Sequence, residues 1–224
     1  MCLKLKIKPA AILPDPIQAA TRHELLDAAT EVFGEAGYRN ATVREICRRA
    51  GANIAAINYH FGDKEKLYAD VLRHAHARAL EKYPPLQGVT ADAPPEQKLR
   101  AFIHSFLLRI FDDSPTACHG KLMSREMIEP TAALDSLVEE FIRPMAGQLN
   151  KIVADILGCK PDDERVRPCA FSVVSQCLFY HHCGPVVTRL AGQLAADAAA
   201  IEKLASHITK FSLAALKNFP DKKR

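Results

Sequence analysis

The chain has 224 residues, 48% of them hydrophobic and 25% charged, with a net charge of +4. That length suits one large or two small domains, with enough apolar content to bury a sizeable core. No run of about 18 apolar residues occurs, so no membrane span is expected.

The first residues, MCLKLKIKPAAILPDP, are basic, but their apolar part is short and broken by Pro9, Pro14 and Pro16, so a secretory signal is not expected. The seven cysteines are odd in number and form no CxxC pair, as suits reduced thiols of a cytoplasmic protein. Residues 1–80 carry 12 Lys/Arg against 9 Asp/Glu, while residues 81–224 carry 18 against 17. Bulk charge alone therefore does not mark a nucleic-acid partner. A local motif has to do so.

In chain order the pattern is helical nearly throughout, with strand-like alternation only in LKLKIK at the start. Asp15-Pro16 is a helix start, Asp as cap and Pro at the first position. Leu25, Leu26, Ala29, Val32, Phe33 and Ala36 follow at helical spacing, and Gly37 ends the helix. Thr42 caps a second helix, Val43 to Ala50, with Glu45 as capping-box partner. Gly51 ends it, and Asn53 caps a third. A fourth begins near Lys64 and runs to about Lys82, with Leu67, Val71, Leu72, Ala75 and Ala79 on one face. His74 and His76 on that helix read as solvated surface.

YPPLQGVTADAPPE, with four prolines and a glycine, is the clearest linker. It divides an N-terminal unit, residues 17–82, from a larger helical body, residues 96–218. Further helices are expected over about 96–112, 115–129, 131–157, 162–183 and 194–218, with Pro144 kinking or splitting the third of these. The fold class is all-α: a three-helix N-terminal unit plus a larger helical bundle, about nine helices in all.

The richest segment is TVREICRRAGANIAAINYHF, residues 42–61: two short helices joined by a tight turn, the pattern of a helix-turn-helix. Cys47 is the small residue where the helices cross, and Gly51 permits a left-handed turn. Ile46, Ala52, Ile57 and Phe61 face inward. That leaves Asn53, Ile54, Ala55, Ala56, Asn58 and Tyr59 outward. Asn can read adenine through two hydrogen bonds, and Ile and Ala can touch thymine methyls. Thr42, Arg44, Tyr59, His60 and Lys64 are positioned to hold phosphates, with the helix amides near Thr42 and Lys64 adding to this. Arg48 and Arg49 read either as a solvated face or as a phosphate clamp.

These residues carry a resemblance. LLDAA…VFGEAGY, the T-V-R-E-I start, the A-G turn, the Y-H-F exit and the D-K-E-K-L-Y helix, all within residues 22–72, resemble the DNA-binding domain of TetR-type transcriptional regulators. The resemblance implies an all-helical homodimer, a palindromic double-stranded operator, and a divergent C-terminal domain that binds a small-molecule effector. Such regulators often carry Lys-Gly-Thr early in the recognition helix. Ile54-Ala55-Ala56 stands there instead, which favours apolar base contacts. KLMSREMIEPTAALD, residues 121–135, and SQCLFYHH, residues 175–182, resemble the C-terminal domain of one proteobacterial branch of the same family.

An effector pocket needs an apolar lining with a few polar anchors. The candidates are Phe102, Phe106, Ile110, Met123, Met127, Phe171 and Phe179, with Arg125, Glu126, Gln176 and His181 as polar groups. Arg125 and Glu126 also read as a buried ion pair. Residues 171–183 and 195–216 are apolar enough for a four-helix contact between two copies. Cys118, His119 and Cys183 offer an alternative, a metal- or thiol-responsive sensor. No GxSxG elbow or Gly-rich phosphate loop is present, so neither an enzyme nor a cofactor is expected.

Overall fold

A computed structural model describes residues 16–219 apart from 113, 115–117, 193 and 196. The Asp15 cap, Cys2 and the LKLKIK alternation lie outside the described residues. Within them every regular element is helical.

The four N-terminal helices follow the punctuation of the sequence. Helix α1 spans Pro16–Asn40, broken at Gly37, whose φ of 75° and ψ of 169° only glycine adopts without strain. Helix α2, Val43–Ala50, starts where Thr42 Oγ1 accepts the Glu45 amide at 3.2 Å, and ends at Gly51 with φ 63°. The expected return bond of a capping box is absent, because the Glu45 carboxylate is taken by Arg48 and Arg49. Helix α3, Ile54–His60, is capped by Asn53, and α4, Lys64–Lys82, by Asp63.

The linker is tethered rather than slack: Tyr83 O accepts from Arg109 and Pro85 O from Ser105. Helix α5 is Pro95–Phe111 and α6 His119–Ile128. The long helix expected over 131–157 is divided. Helix α7, Ala133–Leu137, passes through a π-helical turn, Val138–Ile142, into α8, Arg143–Leu157. Pro144 has no N–H to give and its ring crowds the carbonyl four residues back, so the chain widens by one residue just before it. Helix α9 is Val166–His182, and α11 Ala198–Lys217. Between them lies α10, Gly184–Ala191, a helix not expected from the sequence; Pro185 sits in its first turn, where a missing N–H costs nothing.

Two apolar clusters hold these helices. One, of α5, α8, α9 and α11, includes Ile103, Leu107, Val153, Val173 and Ile208. The other joins α1 to α4 through Leu25, Phe33, Ile46, Ile57, Leu67 and Val71, and it also takes Leu122, Ala133 and Leu137 from α6 and α7. Each fully buried leucine stabilises the fold by roughly 1.5–3 kcal/mol. So α6 and α7 follow the linker in sequence but complete the core of the N-terminal unit in space.

Candidate nucleic-acid interface and the cleft behind it

Ile57, 1% exposed, packs with Ile46 and Phe61 and fixes α3 upon α2. The opposite side of α3 is bare: Ile54 is 46% and Tyr59 72% exposed, and Asn53, Ala55 and Asn58 are exposed beside them. Ala56 departs from the outward set, being half-buried against the core. The Asn53 Oδ1 caps α3 through the Ala56 amide at 2.9 Å, so reading adenine with both amide atoms would have to share that oxygen with the cap. Asn58 carries no such duty. His60 is half-buried, its ring edge-on to Tyr59 at 5.0 Å.

Around this face the cations divide into two groups. Arg44 is exposed and makes no ion pair among the described residues. Arg48 forks onto Glu45 at 2.8 and 2.6 Å, and Arg49 bonds Glu45 at 2.9 Å and Glu35 at 2.7 Å. These hydrogen bonds hold the Glu45 carboxyl down to about 2. A single exposed pair contributes little, but Arg49 ties α2 to α1 through Glu35 and so acts as a brace, while Arg48 pairs within α2. Lys64 lies 4.7 Å over the Tyr38 ring with its Nζ on Arg39 O at 3.4 Å, and burial lowers its pKa. The amides offered to phosphate are partly occupied: Thr42 takes that of Glu45 and Asp63 that of Lys66.

Helix α6 grips this unit from behind. Arg125 donates to Glu35 O at 2.7 Å, beside Gly37, where an added Cβ would lie 2.7 Å from Arg125 Nη1. Glu126 is fully buried and accepts from the Tyr68 hydroxyl at 2.9 Å and from Thr131 N and Oγ1 at 2.7 and 2.9 Å. Arg125 and Glu126 thus point to different partners and are not the ion pair the sequence suggested. Burial and the neighbouring carboxylate both raise the Tyr68 pKa.

The expected pocket residues are scattered. Phe102 and Ile110 are core, and Phe106 packs half-buried against them. Met123 joins the other core. Met127, Phe171 and Phe179 are 46%, 62% and 53% exposed. Gln176 bridges Ser172 O and Ser212 Oγ, and His181 approaches Ser124 Oγ at 3.3 Å. Two cores and an outer face share out the bulky side chains that one pocket would need. Nor do Cys118, His119 and Cys183 converge. His119 is buried with Nε2 on His76 Nδ1 at 2.9 Å and Nδ1 3.4 Å from Arg109 O. The grouping within metal-binding reach among the described residues is His23, Asp27 and His74.

Where α4, α5 and α6 meet, a cleft of about 220 Å³ opens, which the sequence did not disclose. Ala75, Arg109 and His119 form its buried inner wall, with Arg78, Glu81, Lys82 and Asp112 nearer solvent. His76, read as surface, is 3% exposed behind His119. The signal was available: His76 lies four residues beyond Leu72 on the apolar face. Burial holds the His76 pKa down to about 3, His119 to about 4, and Arg109 to about 10.

A model of bacterial regulatory proteins of the tetR family matches residues 25–71. A model of the C-terminal domain of the HTH-type transcriptional dual regulator CecR matches residues 95–216, more than half of the chain. The chain belongs to the TetR family. CecR of Shigella flexneri is 35% identical over 156 residues, 65% of this chain and 68% of that protein. The repressor NicS of Pseudomonas putida is 31% identical over 170 residues, 72% of this chain and 76% of that one. Two solved structures share the fold. A TetR-like regulator from Rhodococcus superposes with a TM-score of 0.61 at 20% identity, over 90% of this chain and 98% of its own. AibR, solved with isovaleryl coenzyme A and operator DNA, gives 0.65 at 16% identity, over 85% and 97%. This TetR-family chain is a DNA-binding transcriptional regulator, and among its described residues no helix is long and apolar enough to cross a membrane.

Proposed function

We propose that the chain is a cytoplasmic, effector-controlled repressor that occupies a palindromic operator as a homodimer and leaves it when a small molecule binds. The bare outer face of α3, rigidly backed by Ile57, is the observation that carries this reading. Ile54, Ala55 and Asn58 meet base edges, while Thr42, Arg44, Tyr59, His60 and Lys64 hold phosphates. Phe171 and Phe179 of α9 and Phe211 of α11 are each more than half exposed, and such an outer apolar surface supports a two-fold contact between copies. The grip of α6 on α1 and α4 supports passage of an effector signal to the DNA-reading unit. The relative named a repressor supports the sign of regulation.

Selection of bound duplexes from a random pool tests the reading. An inverted repeat should emerge with half-sites about 10 base pairs apart or a multiple of that. Recovery of a single unrepeated site, or of no preferred sequence, would contradict it.

A further inference from the structure

We infer that the cleft between α4, α5 and α6 binds a small organic acid, its carboxylate drawn to the unpartnered Nη2 of Arg109 with the His119 ring as a wall beside it. This deepens the effector-controlled reading above, on which it rests, by giving the effector a chemical class.

Arg109 is the largest fully buried side chain described, at 1% exposure. Its Nη1 donates to two neutral acceptors, Tyr83 O at 2.7 Å and Ser105 Oγ at 3.2 Å. Its Nη2 has no hydrogen-bond partner. A guanidinium stays protonated at neutral pH, and a buried charge without a counter-ion is costly. Of the two carboxylates lining the same cleft, Asp112 is already held by Lys82 at 2.6 Å and Glu81 lies on the exposed rim. A positive charge therefore lines a cavity without its acceptor.

A second observation points the same way. The charged groups lining the cleft are Arg78, Lys82 and Arg109 against Glu81 and Asp112, which favours an anion over a cation. Ala75 and Ala79 supply an apolar wall for the body of the acid. At about 220 Å³ the space is smaller than the roughly 300–1,000 Å³ of drug-sized sites. The ligand is accordingly a short acid rather than a multi-ring compound.

The cleft is also wired to the reading head. His119 opens α6, and six and seven residues further on Arg125 and Glu126 hold α1 and α4. An anion drawn onto Arg109 would press on His119 at the near end of that helix. To shift operator occupancy it must bind the two states unequally.

Calorimetric titration of the full chain without DNA tests this, using acetate, hexanoate and benzoate, with benzamide as neutral counterpart and inorganic phosphate as a competing oxyanion. At least one acid should bind once per chain, and benzamide should give no heat. Arg109→Gln and the exposed-site variant Lys82→Glu, each checked for native circular dichroism, should weaken the acid at least about tenfold. Benzamide binding as well as benzoate would overturn the proposal. So would phosphate binding to the exclusion of every acid, no binding by any probe, or wild-type affinity in a folded variant. Operator release is scored separately by anisotropy. Binding without release would keep the site and contradict effector control instead.

Discussion

Two buried histidines make the stability of this protein depend on pH. His76 and His119 are held neutral by burial, with pKa values of about 3 and 4 against an ordinary 6.5. Between 6.5 and about 4 the unfolded chain takes up protons that the folded chain refuses. Stability is therefore full above 6.5 and is lost as pH falls. From pH 6.5 to 5 the loss is on the order of 2 kcal/mol per histidine. Glu45, held at about 2, acts in a lower window that opens only below 4.5. Urea midpoints at pH 7, 6 and 5 should fall steadily, and the His76→Gln/His119→Gln variant should fall less. A midpoint independent of pH in that range would contradict the buried pair. The pair was half-legible in the sequence. The register of His76 with Leu72 put it on the packed face, but nothing local says that a histidine 43 residues later will meet it. The brace at Arg49 is not legible locally for the same reason: Glu35, which fixes it, sits on another helix.

At the scale of helices, the legible parts were those with local causes. The bounds of α2, α3 and α4 follow from the Thr42, Asn53 and Asp63 caps and the left-handed Gly51, all of which act within a few residues. Pro144 likewise announced a break. The π-helical turn that resolves it, and α10, depend on packing that no local rule supplies. So does the docking of α6 and α7 on the N-terminal core. That docking makes a prediction at Gly37, whose backbone angles only glycine accepts and whose missing Cβ leaves room for Arg125. Gly37→Ala should cost about 1–3 kcal/mol in backbone strain alone. It should also dislodge Arg125 from Glu35 O. Urea unfolding measures the first and the change in operator affinity the second. A variant as stable as the parent would contradict the strain at Gly37, and unchanged operator affinity would count against the grip of α6 on α1.

For the whole molecule, the linker marks a boundary in sequence that the packing does not respect, and this gives the DNA-reading unit a physical tie to the C-terminal helices. The pocket candidates failed to gather because apolar periodicity says only that a residue is turned inward or toward a partner. It cannot distinguish core at Phe102 from outer face at Phe171. If that outer face joins two copies, Phe171→Glu with Phe211→Glu should give monomers by light scattering at micromolar concentration. The far-ultraviolet circular dichroism should be unchanged. A doubly charged variant that still dimerises would place the contact elsewhere.

On the proposed reading, α3 reads sequence while its flanks hold the backbone. Fluorescence anisotropy of the parent, Asn58→Ala and Tyr59→Ala on selected and scrambled duplexes tests it most directly. Asn58→Ala should lose about 1–3 kcal/mol on the selected duplex and little on the scrambled one. Tyr59→Ala should weaken both alike. Parent affinity on the selected duplex in both variants would contradict the assignment of α3 as the recognition helix.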